Sequence, residues 1–315
     1  MIMMNCLKKK PNSKNIFFVF FIIFFLLQID LYSYLNQPAE KNKILKFGIL
    51  KNTFSGKNAY DAKAAFEIWT KNYIKENKEI NVSVETVIYE NISEVKKALQ
   101  NDEVQFIHIN TIDFLKFFSD GMLTCFLINS TGFSNNETSP LDKLVLLVSK
   151  RSGIKKISDL QNKKITIQSG KWADIPVIWL STLLSSENIK INEKTIQRYD
   201  KSSQAVYRVY FKQNDACIVS ENAYKTIIEL NPNIGSEITS IASSDKLLPF
   251  IFCHTKSADP EIIDIIKKSV ANFDKSNYGK QILTLFQTDK IMLFENKFIE
   301  NTRKLYEKYR KINED

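Results

Sequence analysis

From Ile44 onward, short apolar runs alternate with amphipathic stretches, and this alternation constrains the fold more than any other feature of the sequence. Ile44–Leu50 (ILKFGIL) predicts a buried first strand, and 59–77 a long helix with Ala64, Ala65, Ile68, Trp69 and Tyr73 on one face. Val82, Val84, Thr86 and Ile88 alternate as a strand. Ser93 is expected to cap a helix carrying Val95, Ala98 and Leu99, and Val104–Ile109 predicts the next strand, followed by a helix over 111–119. Such a β-α-β-α order implies an α/β protein with a mostly parallel sheet and helices on its faces.

Leu144–Ser149 (LVLLVS) predicts another buried strand, after which the pattern restarts. Strands are expected over 164–167, 195–199, 216–220, 237–242 and 250–254. Helices are expected over 176–186, 203–212, 221–230, 260–273, 276–286 and 296–311. The restart and the return at Phe250–His254 predict two lobes, residues 44–146 with 245–315 and residues 147–244, joined by two crossover segments.

The N-terminus reads differently. Lys8, Lys9, Lys10 and Lys14 precede twelve uninterrupted apolar residues, Ile16 to Leu27. A basic segment before an apolar run of about 7–15 residues is the pattern of a secretory signal. A spanning helix needs about 20 apolar residues, and Gln28 and Asp30 interrupt this run. Residues 1–33 are therefore expected to be a signal peptide or an N-terminal membrane anchor, with membrane contact if uncleaved and the rest of the chain exported. The expected location is periplasmic or extracytoplasmic, with anchoring to the inner membrane as the variant.

Composition excludes several function classes. Only 8 glycines occur in 315 residues, against a usual share of ~7%, so repeated glycine-rich phosphate loops are not expected. Two histidines, His108 and His254, cannot build a site from several imidazoles, and the four cysteines contain no CxxC pair. No cofactor and no metal site is expected. The net charge of +9 is scattered over Lys/Asn-rich faces, not gathered into a patch with interleaved aromatics, so no nucleic-acid partner is expected. Cys125, Cys217 and Cys253 each sit in apolar runs and read as buried thiols, although an export compartment would permit one pair.

The order of elements and several phrases resemble the phosphate/phosphite/phosphonate-binding family of periplasmic substrate-binding proteins of ABC transporters. ILKFGIL, then AAFEIWTKNYIKEN and VSVETVIYENISEVKKALQNDEVQFIHI, resemble that family's first lobe. LVLLVSKRSGIKKISDLQNKKITIQSG is similar to its crossover strand, short turn and first strand of the second lobe. QAVYRVYFKQNDACIVSENAYKTI and DKLLPFIFCHTKSADPEIIDIIKKSV resemble its helix-then-"VDA" strand and its return crossover. The resemblance implies a two-lobed, type II periplasmic-binding-protein fold, a small anionic ligand and an ABC transporter permease as partner. A membrane-tethered sensor reporting to a signalling partner is the alternative. An enzyme would need a nucleophile or base with an activating neighbour, and the sequence supplies only isolated histidines.

The ligand motifs depart from that family. Its Y-L-G-P phrase is replaced by His108-Ile109-Asn110-Thr111, and its Ser-Thr-Ser cradle by Ser169-Gly170-Lys171-Trp172. Its G-S-H phrase is replaced by Asp200-Lys201-Ser202-Ser203, while an acidic residue is kept at Glu221. A ligand different from, or bulkier than, phosphonate itself is expected.

In open α/β sheets ligands bind outside the carboxyl ends of the strands. That rule selects Asn52, Thr53, Asn110, Thr111, Ser169, Gly170, Lys171, Lys201, Ser202, Ser220 and Glu221, and the resemblance adds His108. Several of these open helices, whose unpaired N–H groups suit an anion. The plain alternatives stay open: helix capping for Asn110, Ser202 and Ser220, solvated side chains for Lys171 and Lys201, and core packing for His108 and Trp172.

Overall fold

A computed structural model describes residues 43–51, 63–64, 67–68, 82–118, 121–130, 139–169, 172–270, 273–285 and 288–314. The N-terminal segment 1–33, most of the helix expected over 59–77, and Asn52, Thr53, Gly170 and Lys171 lie outside the described residues.

The first sheet is built from β1 (Lys43–Leu50), β2 (Val82–Tyr89), β3 (Phe106–Asn110), β4 (Leu123–Ser130), β10 (Phe250–Thr255) and β11 (Lys290–Leu293), in the order β11-β4-β10-β3-β1-β2. The second contains β5 (Leu144–Ser149), β6 (Ile165–Gln168), β7 (Ile196–Tyr199), β8 (Ala216–Ser220) and β9 (Ile238–Ser243), in the order β7-β6-β8-β5-β9. The central strands β3, β5 and β8 are almost wholly buried, as strands covered on both faces are.

Both sheets are mixed. β1 pairs parallel with β3, and β6 parallel with both β7 and β8. β10 runs antiparallel to its neighbours β3 and β4, and β5 antiparallel to β8 and β9. The antiparallel share exceeds the sequence expectation because β5 is the strand by which the chain enters the second sheet and β10 the strand by which it returns to the first. Each arrives from the carboxyl edge and must run against the parallel set.

The helices flanking the sheets are α1 (Ile92–Gln100), α2 (Thr111–Phe117), α3 (Ile175–Ser185), α4 (Ser202–Tyr210), α5 (Glu221–Leu230), α6 (Pro232–Glu237), α7 (Pro260–Val270), α8 (Asn277–Leu285) and α9 (Glu300–Glu314). The expected cap Ser93 lies inside α1. The cap is Asn91, whose side chain accepts from the N–H groups of Ser93 and Glu94. β4, β11 and α6 were not anticipated. Among the described residues no helix is long and apolar enough to cross a membrane.

Each sheet is packed on both faces, by Leu50, Val95, Ile107 and Phe118 on one side of the first and Phe106, Phe126, Phe252 and Ile263 on the other. The second sheet has Leu146, Ile167, Trp172 and Leu180 on one face and Val145, Ala205, Val219 and Ile234 on the other. α9 spans the seam: it packs against both α3 and α2, and its Leu305, Tyr306 and Tyr309 lie against the second sheet's core.

Candidate functional site

The carboxyl ends of the parallel strands meet the two segments that connect the sheets. Asp142, in the outgoing segment, and Leu247, in the returning one, form an antiparallel bridge. The first residue of α2, Thr111, donates its N–H to Pro249 O at 2.9 Å. The first residue of α5, Glu221, donates its N–H to Lys143 O at 2.7 Å. One helix from each sheet is thereby anchored at its N-terminus to a different connecting segment.

Within the second sheet three strand ends are tied together. Ser169 N–H donates to Tyr199 O at 2.9 Å, and Ser169 Oγ lies 3.5 Å from Asp200 Oδ1. Ser220 N–H donates to Gln168 Oε1 at 3.3 Å. This brings Ser169, Asp200, Lys201, Ser202, Ser220 and Glu221 to one edge. Lys201 is exposed and caps α4 without a side-chain bond, and Ser202 is half-buried in the first turn.

Several candidates have local work. Ser220 Oγ accepts from Ala223 N–H at 3.2 Å, the ordinary N-cap bond. Asn110 Oδ1 accepts from Asp113 N–H at 2.8 Å, while Asn110 Nδ2 donates to Asp113 Oδ2. Glu221 pairs with Lys225 one turn on, at 3.2 Å. His108 is 1% exposed, opposite Phe252 in the sheet, with its ring centroid 4.3 Å from that of Phe252 and 5.1 Å from that of Phe250. It sits in the body of β3, not on an open strand end, and burial lowers its pKa to about 3. Trp172 is fully buried with Ile175 and Leu144, so it is a core residue, not an exposed wall.

Two polar atoms at this seam stand out. Thr111 Oγ1 and Trp172 Nε1 are buried and have no hydrogen-bond partner among the described residues. Buried polar atoms are nearly always paired, and an exception calls for an explanation such as a bound group. Thr111 opens α2 beneath the first sheet, and Trp172 lies just before α3 beneath the second. Ile112, next to Thr111, is buried in the same cluster as Trp172 and Ile175. Both atoms can donate a proton, Trp172 Nε1 only so.

Sequence reasoning missed Gln168 and Asp113. Gln168 is buried and reaches the neighbouring strand end. Asp113 is held above the usual carboxylate range chiefly by burial, opposed by its bond to Asn110 and reinforced by the charge of Asp174. That interaction places a carboxylate ahead of α3 close to one on α2. The available signal was the N-x-x-D spacing from Asn110 to Asp113, a helix-start pattern.

Residues 70–297 match the family described as ABC transporter, phosphonate, periplasmic substrate-binding protein. A search of curated proteins finds no match. Among solved structures, a Xanthomonas citri protein bound to chloride ion is similar at TM-score 0.63 and 11% identity, over 86% of this chain and 99% of that one. Mh-p37 of Mycoplasma hyorhinis gives TM-score 0.59 and 11% identity over 85% and 98%. PhnD1 of Prochlorococcus marinus in complex with methylphosphonate gives TM-score 0.55 and 15% identity over 87% and 100%. With two mixed sheets joined by two connecting segments and most of its length matched, the chain belongs to the family of periplasmic substrate-binding proteins of phosphonate ABC transporters.

Proposed function

We propose that the chain captures a small oxyanion at the seam between its two sheets and delivers it to an ABC transporter permease. The supporting observation is the pair of buried donors without a hydrogen-bond partner among the described residues, Thr111 Oγ1 at the start of α2 and Trp172 Nε1 just ahead of α3. The positive ends of the helix dipoles favour negative charge at the same place. In this reading Ser169, Lys201 and Ser202 add donors from the second sheet, with Gly170 and Lys171 continuing the Ser169 loop and Asn52 and Thr53 following β1. Asn110 and Ser220 serve the site by fixing its helix starts, and His108 packs the sheet beneath it. Binding is the whole chemistry, with no catalytic group.

The lobes of this reading are residues 44–146 with 245–315, and 147–244. Residues Ile44–Asp315 form one compact unit; the periplasmic family match, with the basic-then-apolar pattern of residues 1–33, supports a signal or anchor there and the unit working outside the cytoplasm.

Carboxylates also stand at the helix starts and strand ends of this reading: Asp113 and Asp174, whose charges interact, Asp200 beside Ser169, and Glu221 at the first residue of α5. They favour a ligand that carries an ammonium beside its oxyanion. A thermal-shift panel tests both features, with phosphate, phosphite, alkylphosphonates, alkylsulfonates and their aminoalkyl counterparts. A native-state ligand raises the midpoint with concentration. The reading expects aminoalkyl oxyanions to outrank the alkyl forms; a panel in which no oxyanion raises the midpoint with concentration overturns it.

A further inference from the structure

Cys125 on β4 and Cys253 on β10 are register partners on adjacent antiparallel strands, and their sulfurs lie 3.6 Å apart. Directly opposed residues in such a pair have Cα atoms about 4.5 or 5.5 Å apart. Disulfides span Cα separations of about 4.4–6.8 Å. The backbone therefore already stands where a bridge needs it, and closing the sulfurs to about 2.05 Å requires side-chain rotation alone. A register shift between Phe252 and Cys253 marks the place, where a bulge adds local twist. Cys125 is half-buried and reachable, Cys253 is buried, and Cys217 is buried alone in β8.

We infer that Cys125 and Cys253 form a cross-strand disulfide once the chain meets an oxidising compartment. The oxidant is a disulfide, small or protein-borne. The Cys125 thiolate attacks one sulfur of the oxidant and expels the first thiolate, leaving a mixed disulfide on Cys125. Cys253 then gives up its proton and attacks the Cys125 sulfur, breaking the mixed bond and expelling the second thiolate. Two protein thiols are oxidised, the oxidant is reduced to two thiols, and the two protons end on them. Burial raises the Cys253 thiol well above its ordinary pKa, which sets the order: the more accessible Cys125 attacks first.

The bridge closes a loop of more than a hundred residues containing the whole second sheet. Cross-links over long loops restrict the unfolded chain most. Leu123 pairs with Thr255, so the cysteine pair lies near the β4 start and the β10 end, whereas Asn110 faces Phe250 at the other end of β10. The staple would hold β10 in place without touching the proposed ligand seam.

The test uses the full chain under native conditions, treated with oxidised glutathione or with a reductant. Free thiols are then alkylated in denaturant and the digest is mapped by mass spectrometry. The expected result after oxidation is a linked Cys125–Cys253 peptide pair with Cys217 alkylated, and a thermal midpoint several degrees above the reduced form. Cys125→Ser should abolish the linked pair and the redox-dependent shift together. Alkylation of both Cys125 and Cys253 after oxidation, or glutathione retained on Cys125, would overturn the proposal. So would a Cys125→Ser variant that keeps the redox-dependent shift.

Discussion

Asp142 and Leu247 exchange both backbone hydrogen bonds, Asp142 N–H to Leu247 O at 3.2 Å and Leu247 N–H to Asp142 O at 2.8 Å. The two segments that connect the sheets are therefore one antiparallel ribbon. At the next rung Ser244 N–H donates to Leu144 O and Leu144 N–H donates to Ser244 Oγ, both at 2.9 Å. On the other side Leu248 N–H donates to Thr302 Oγ1 of α9, also at 2.9 Å and buried. The C-terminal helix thus holds the returning strand of the ribbon, and this determines how firmly the sheets are joined.

Thr302→Val keeps the volume and removes the acceptor. It leaves the buried Leu248 N–H unsatisfied, a loss of about 1–3 kcal/mol. Urea unfolding should show that decrease, and Asn301→Ala, whose amide donates to an exposed carbonyl at Lys246, should show much less. Equal effects would remove the special role of Thr302.

His108 has its pKa lowered from 6.5 to about 3 by burial. The unfolded chain takes up the proton first, so stability falls as pH drops from about 6.5 towards 3 and is fully present above that window. His108→Leu should flatten this acid limb by up to a few kcal/mol, measured as unfolding free energy against pH. An unchanged limb would mean that the carboxylates alone produce it.

Asp113 runs the other way. Its folded pKa is raised, so its contribution is best below the ordinary carboxylate range and is lost as pH rises through the folded value. Asp113→Asn keeps an acceptor for Asn110 and removes the buried charge. The variant should be at least as stable as the parent at pH 7, and the advantage should vanish on acidification. A variant less stable at pH 7 than at pH 4, relative to the parent, would refute this account.

Much of the fold was legible because apolar runs such as LVLLVS and the FIFC segment are too short for buried helices and rich in β-branched or aromatic residues, which marks buried strands, and their order places the crossovers. β4 was missed because Thr124 and Asn129 interrupt its apolar pattern, and β11 because four residues carry little periodicity. The site was legible only as a set of loops. Strand-end logic reached Thr111 and Lys201, yet it could not show that Ser220 and Asn110 spend their side chains on caps. Nor could it distinguish His108 from a strand-end ligand, because the apolar neighbours Ile107 and Ile109 fit either reading. The partners that seal His108 come from β10, more than a hundred residues away.

The central claim is that Thr111 Oγ1, buried and without a partner among the described residues, serves a ligand, and calorimetric titration of Thr111→Val tests it most directly. The titrant is the anion that ranks first in the thermal-shift panel, with Lys201→Ala as a second variant. Removing an orphan buried hydroxyl should leave the ligand-free protein as stable as the parent or more so. Losing one bond to a charged group, worth about 1.5–3 kcal/mol, should weaken binding roughly ten- to a hundredfold. Parent-like affinity in both variants would place the ligand elsewhere and contradict the account.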